Sequence, residues 1–312
     1  MDKTAAMIGA GLIGRAWAMV FARAGWTVRL YDSNPTQLAD ARAYIGPSLG
    51  EQQGAGLCDD AGAAQARIDY VPSLEAAVAG AAWVHEHLPE ELAPKRALFT
   101  QLDRLVAADT ILASSTSAIP ASKFTDGLAC RARCLVAHPV NPPHLVPVVE
   151  LCGTPWTAPQ TVERAHALMT DIGQVPIIVR REIDGFILNR LQGALLTEAM
   201  RLVEEGYVSP DDLDKTIKDG LGLRWSFMGP FETIGLNAPG GVADYCARYS
   251  AFYRRVAADP ARPEVWEGER TARVVAALGA PLSRSERERR TQRRDRLLLA
   301  LLQHKITSSK TE

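Results

Sequence analysis

The stretch Ala5-Ala6-Met7-Ile8-Gly9-Ala10-Gly11-Leu12-Ile13-Gly14 places three glycines at G-x-G-x-x-G spacing between a short apolar run and a helical stretch from Leu12 to Ala24. Three glycines alone are a weak signal, but a strand before them and a helix after them supply the context the motif requires. Gly9 makes the tight turn, Gly11 lets the backbone approach a pyrophosphate, and Gly14 permits close packing of helix on strand. The N–H groups at the helix start, at Leu12 and Ile13, then face the anion. Asp32 follows the second apolar run, Val28-Arg29-Leu30-Tyr31, and lies 18 residues beyond Gly14. An acid there hydrogen-bonds the ribose hydroxyls of adenosine and repels a 2′-phosphate, so the cofactor read from the sequence is NAD rather than NADP.

Working outward, Ala82-Trp83-Val84 and Ile111-Leu112-Ala113 are further strand-like runs, and helix-period segments separate all four. This alternation predicts an α/β fold, an N-terminal Rossmann-like doubly wound sheet with helices on both faces. Strand candidates continue at Cys134-Leu135-Val136-Ala137, at 146–151 and at Pro176-Ile177-Ile178-Val179, the second departing from the parallel pattern. After Asp184-Gly185 the chain reads as helices, roughly 185–206, 210–220, 227–236, 241–258, 264–278 and 285–303. Ser209-Pro210-Asp211-Asp212 is a clear start signal, with an N-cap, a first-turn proline and early acids. The reading is therefore an NAD-binding domain over 1–184 and an all-helical domain for substrate binding and dimerisation over 185–312.

Composition agrees with two globular domains: 312 residues, 47% hydrophobic. Lys+Arg (35) nearly cancel Asp+Glu (36), so no whole-molecule field favours nucleic acid. The arginines between 284 and 296 are interleaved with Glu286, Glu288 and Asp295, without aromatics, and read as a solvated helix face or subunit contact. No apolar run approaches a membrane span, and Met1-Asp2-Lys3-Thr4 lacks a signal-peptide flank, so a cytoplasmic protein with no membrane partner is expected. Five scattered cysteines read as reduced thiols. Cys130 and Cys134 have no second Cys/His pair at finger spacing, and no metal is expected.

His138 ends the run Leu135-Val136-Ala137, where open α/β sheets place their ligands. Oxidising an alcohol by hydride transfer needs a base for the hydroxyl proton, and imidazole has a suitable pKa. Glu150 ends Val146-Pro147-Val148-Val149, and a turn through Asn141-Pro142-Pro143 brings its carboxylate within reach of the imidazole.

The run from Ser114 to His138, then Asn141-Pro142, Glu150 and Gly185-Phe186-Ile187-Leu188-Asn189-Arg190, resembles the L-3-hydroxyacyl-CoA dehydrogenase superfamily over nearly the whole chain. The resemblance implies that His138 and Glu150 are the catalytic pair, that Ser117 contacts the substrate oxygen and nicotinamide region, and that Asn189 is the substrate-side asparagine. It puts Glu90 and Lys95 near the nicotinamide ribose and Ser115 in the cofactor-binding serine motif. For Glu90, an acid complementing the dipole of the following helix is an equal reading. It also implies a homodimer.

Departures from the acyl-CoA enzymes narrow the substrate. The segment Gly222-Leu223-Arg224-Trp225-Ser226, together with Trp17-Ala18-Met19 and Leu236-Asn237-Ala238-Pro239-Gly240-Gly241, is similar to the lambda-crystallin and L-gulonate 3-dehydrogenase branch. Leu223-Arg224-Trp225 also resembles carnitine 3-dehydrogenase. Arg224 offers a planar fork to a substrate carboxylate. Between Ser33 and Arg67 there is no lysine, which is unlike a site for the phosphates of coenzyme A. The expectation is a small carboxylate substrate, a free 3-hydroxy acid oxidised at C3, with L-gulonate giving 3-dehydro-L-gulonate. The alternatives are an L-3-hydroxyacyl-CoA dehydrogenase, a carnitine 3-dehydrogenase and a non-enzymatic NAD-binding crystallin-like protein.

Overall fold

A computed structural model describes residues 3–308; Met1 and Asp2 of the expected N-terminal flank lie outside the described residues. Eight strands form one sheet: β1 (Thr4–Ile8), β2 (Thr27–Tyr31), β3 (Ile68–Tyr70), β4 (Trp83–Glu86), β5 (Ile111–Ser114), β6 (Cys134–Pro139), β7 (Val148–Gly153) and β8 (Val175–Val179). Their spatial order is β3-β2-β1-β4-β5-β6-β7-β8. All neighbours are parallel except β6 and β7, which run antiparallel. The doubly wound sheet and the departure at the seventh strand both agree with the sequence reading. β3 was not foreseen. It is a three-residue edge strand, Ile68-Asp69-Tyr70, too short to show a period.

The helices on the two faces enclose separate cores. One core gathers Trp17, Met19, Phe21, Leu30, Ile45 and Leu49; the other gathers Leu74, Val84, Phe99, Leu102, Phe124 and Phe186. Full burial of residues such as Phe21 or Leu30 contributes roughly 1.5–3 kcal/mol each. The helix Leu12–Arg23 is buried from Ala16 through Ala22, packed against the sheet and against the helix Pro35–Gly54. That packing fixes the glycine loop at the C-terminal edge of β1.

Two compact units result among the described residues: 3–189 with 284–308, and 190–283. The C-terminal helix Arg284–Ser308 thus groups with the sheet, whereas the sequence reading placed it in the helical domain. Its Leu299 is buried, which the charged face of the same helix hid from a reading of composition. In the second unit, the stretch read as one helix over 210–220 is an α-helix, Pro210–Lys215, followed by a π-helical turn, Thr216–Leu221. The stretch 264–278 divides into a 3₁₀ turn, Pro263–Trp266, and a helix, Gly268–Leu278, which opens on Gly268 at φ +55°. Among the described residues no helix is long and apolar enough to cross a membrane.

Candidate active site

At the dinucleotide loop, Gly9 has φ +104°. A Cβ on Gly9 would lie 2.9 Å from the carbonyl oxygen of His87, and one on Gly14 would lie 1.8 Å from the carbonyl oxygen of Gly9. Neither position admits a side chain. Gly11 differs: a Cβ there would meet nothing within 4 Å, so its bare backbone faces open space at the start of the helix Leu12–Arg23. The first helical amides, at Leu12 and Ile13, have no intrahelical acceptor. This is a cradle shaped for an anion.

Beside it, a cleft of about 230 Å³ is lined by Gly9, Asp32, Ser33, Leu74, Leu88 and Leu98. Asp32 accepts from the N–H of Ala10 at 2.7 Å and from that of Asn34 at 2.8 Å, so the carboxylate braces the glycine loop at the wall of the cleft. The nearby arginines are occupied elsewhere. Arg29 donates to the carbonyls of Ala76 and Ala79, and Arg42 stacks on Tyr70 at 4.2 Å. The cradle, the carboxylate and the apolar cleft together fit an adenine dinucleotide without a 2′-phosphate.

His138 and Glu150 are direct partners in the antiparallel β6/β7 ladder, so their side chains leave the same face of the sheet. His138 Nδ1 lies 2.7 Å from Glu150 Oε2, and both residues are buried. Glu150 Oε1 accepts from the N–H groups of Ile187 at 2.9 Å and Leu188 at 3.0 Å. Burial pushes the Glu150 carboxyl pKa up, but the His138 hydrogen bond and the two amides outweigh burial and hold it below the ordinary carboxylate value. The turn through Gly185 (φ +76°) and Phe186 (φ +46°) aims those amides and sets the fully buried Phe186 ring 5.6 Å from the imidazole.

A second constellation surrounds Ser117. Glu90 Oε1 accepts from Thr116 Oγ1 (2.5 Å) and from the N–H groups of Ser117 (3.1 Å), Ala118 (2.8 Å) and Ile119 (3.1 Å). One carboxylate oxygen thereby organises the turn that carries Ser117, a role that neither sequence reading of Glu90 contained. Burial acts to raise the Glu90 pKa, but these donors and Lys95 lower it on balance. Asn189 Nδ2 donates to the carbonyl of Ser117 at 2.8 Å, joining the far end of the site to the same turn. Lys95 is almost wholly buried, with Nζ 2.8 Å from Glu86 Oε1 and 3.7 Å from Glu90 Oε2. Ser114 Oγ donates to the other Glu86 oxygen at 2.5 Å. Glu86 was missed because it sits at the end of an apolar strand, and only its later partners reveal it. The Ser115 hydroxyl lies 3.0 Å from His85 Nε2 and 2.9 Å from His87 Nδ1.

His138, Glu150, Ser117, Asn189, Glu90, Lys95 and Ser115 all lie in the first unit, as do the glycine loop and Asp32. Arg224 lies in the second. It stands on the short helix Gly222–Trp225, directly after the π-helical turn, and lines an open surface depression of about 660 Å³ with Thr216, Leu221, Leu223 and Phe227. π-Helical turns occur often at functional sites. Cys130 and Cys134 are buried with sulfurs 3.7 Å apart, and no group of three or more potential metal ligands occurs among the described residues.

A glycine cradle, an adenosine-side acid and a buried histidine–carboxylate pair on one sheet edge are the equipment of an NAD-dependent alcohol dehydrogenase. Residues 4–183 match the family model for the NAD-binding domain of 3-hydroxyacyl-CoA dehydrogenase, and residues 185–272 match that for its C-terminal domain. The chain belongs to the 3-hydroxyacyl-CoA dehydrogenase family, uses NAD, and falls in its lambda-crystallin branch. It is 48% identical to lambda-crystallin of Oryctolagus cuniculus over 253 residues, covering 80% of this chain and 79% of the relative. It is 40% identical to L-carnitine dehydrogenase of a Pseudomonas species over 237 residues, 75% of this chain and 72% of that one. Among solved structures, an NAD⁺-dependent dismutase acting as 5-formyl-3-hydroxy-2-methylpyridine 4-carboxylic acid 5-dehydrogenase matches with a TM-score of 0.83 at 29% identity, covering 96% and 97% of the two chains. The activity is that of an NAD-dependent 3-hydroxy acid dehydrogenase.

Proposed function

We propose that the chain oxidises the C3 hydroxyl of a small free 3-hydroxy acid, with L-gulonate as substrate and 3-dehydro-L-gulonate as product. The observation that carries the chemistry is the 2.7 Å His138–Glu150 pair. Glu150 holds Nδ1, which leaves Nε2 to take the C3 hydroxyl proton. The carboxylate then stabilises the imidazolium as the C–O bond becomes C=O. The Ser117 hydroxyl donates to the developing carbonyl oxygen, and Asn189 keeps its turn in place. When bound, NAD supplies the hydride acceptor. Gly9, Gly11, Gly14, Leu12, Ile13 and Asp32 hold its adenosine and pyrophosphate. Glu90, Lys95 and Ser115 shape the nicotinamide end.

The free acid is favoured by Arg224, whose guanidinium pairs bidentately with a carboxylate. Likeness to a carnitine dehydrogenase and to a dehydrogenase of a pyridine carboxylic acid supports the same class. The test compares kcat/KM for L-gulonate, L-carnitine, L-3-hydroxybutyrate and L-3-hydroxybutyryl-CoA. Arg224→Ala should raise KM for the acid about tenfold or more, the cost of a lost charge-assisted pair. Preference for the thioester, or an unchanged KM in the variant, overturns the reading.

The second unit supports a homodimer. Among residues 190–283 only Thr233, Ala238, Val265 and Val274 are buried, while Tyr207, Phe227, Phe231, Leu236 and Val256 are each more than half exposed. A helical unit with so little interior stabilises itself by covering such a face against a second copy. Sedimentation of the NAD-loaded protein should give twice the chain mass; a monomer at micromolar concentration refutes this.

A further inference from the structure

The C-terminal helix Arg284–Ser308 and the sheet domain border a half-open cleft of about 420 Å³ within the first unit. Arg15, Tyr44, Asn141 and His144 line it on the sheet side, and Arg287 and Arg294 on the helix side. The volume falls in the range of sites for small organic molecules. Neither His138 nor Glu150 borders it, and its outer wall lies beyond residue 272, where the family match ends.

Its charges are unevenly neutralised. Two acids line the cleft, and each is already paired: Asp295 with Arg294 at 2.7 Å, and Glu288 with Arg284 at 2.9 Å. Among the described residues Arg15 and Arg287 have no carboxylate at ion-pair distance. The Arg15 guanidinium lies over the Tyr44 ring, 3.8 Å from its centre, so an aromatic wall holds it in position. His144 is only 3% exposed, and its Nδ1 is buried with no hydrogen-bond partner among the described residues. Burial, with Arg23, Arg15 and Arg294 nearby, lowers the His144 pKa to about 3, so the ring is neutral and adds no charge of its own.

We propose that this cleft binds a small oxyanion, a carboxylate or a phosphate, between Arg15 and Arg287. Leu12, the first residue of the dinucleotide-binding helix, and Pro142, in the turn after His138, also border the cleft. An occupant would therefore touch both the cofactor helix and the loop behind the catalytic histidine.

Isothermal titration of NAD-loaded protein at fixed ionic strength, with inorganic phosphate and separately with D-gluconate, tests the site. At least one probe should bind once per chain. Arg287→Ala and Arg15→Met should each weaken it about tenfold, with an unchanged thermal midpoint for the exposed Arg287, while His138→Gln should leave binding unaltered. Binding of phosphate alone identifies a phosphate site, and binding of gluconate alone a carboxylate site. Failure of both probes to bind, wild-type affinity in both arginine variants, or loss of binding in His138→Gln overturns the proposal.

Discussion

Glu150→Gln changes one atom of a side chain that is completely buried and makes three hydrogen bonds. The amides of Ile187 and Leu188 can only donate, so the single oxygen of glutamine must serve them. The glutamine NH₂ then faces His138 Nδ1, which must act as acceptor. The ring proton moves to Nε2, the nitrogen that has to receive the substrate proton. Turning the amide over instead strands two buried N–H donors at about 1–3 kcal/mol each. The imidazolium also loses its counter-charge, worth about 4 kcal/mol for charges 4 Å apart at an effective dielectric constant near 20. The lost counter-charge is common to both orientations of the amide, and about 4 kcal/mol corresponds to a fall of about 10³ in kcat. The assay is steady-state NADH formation at saturating NAD and acid, with NADH binding followed in parallel by fluorescence. A kcat within tenfold of wild type, or weakened NADH binding that accounts for the loss, would refute the reasoning.

Gly14→Ala should abolish dinucleotide binding and lower the thermal midpoint by several degrees, because the new methyl would lie 1.8 Å from a backbone oxygen that cannot give way; an unchanged Kd for NADH removes the close-packing argument. Stability should also begin to fall on the acid side of pH 6.5. Burial first, then like charge, depresses the pKa of His85 and His144 to about 3 each and that of His87 well below normal, from an ordinary value of 6.5. Because the folded values lie below the unfolded ones, this contribution is fully present above about pH 6.5. It is lost as pH falls towards 3, at up to about 1.4 kcal/mol per pH unit for each ring. Urea midpoints from pH 7.5 to 5 measure it, and a flat profile over that interval rules it out.

The parts of the fold set by local pattern were legible in the sequence. Glycine spacing, strand–helix alternation and the capping residues near 209 each state their own context within a few residues. Seven of the eight strands announce themselves in this way, and the eighth is too short to do so. The histidine–glutamate pair was legible because a turn joins two strand ends. What stayed hidden depends on contacts distant in sequence. Glu86 meets Lys95 and Ser114, the 187–188 amides close on Glu150, and an arginine-rich helix returns to the sheet. Residue type alone cannot indicate such meetings. The helix 284–308 was further masked because its buried side is narrow and its charged side broad.

The switch to antiparallel pairing at β6 and β7 bears on how this site tolerates change. His138 faces Glu150 because the ladder sets them in register, and the connection between the strands, 140–147, contributes no atom to that contact. Insertions or deletions in the connection should therefore leave the pair intact as long as the ladder holds. A slip of one residue within β7 would turn the carboxylate to the opposite side of the sheet and put Leu151 or Val149 beside the imidazole. A change of length in the connection would spare the register of the pair but disturb the buried Pro142, Pro143, His144 and Leu145, whereas a slip in the strand destroys the pair itself.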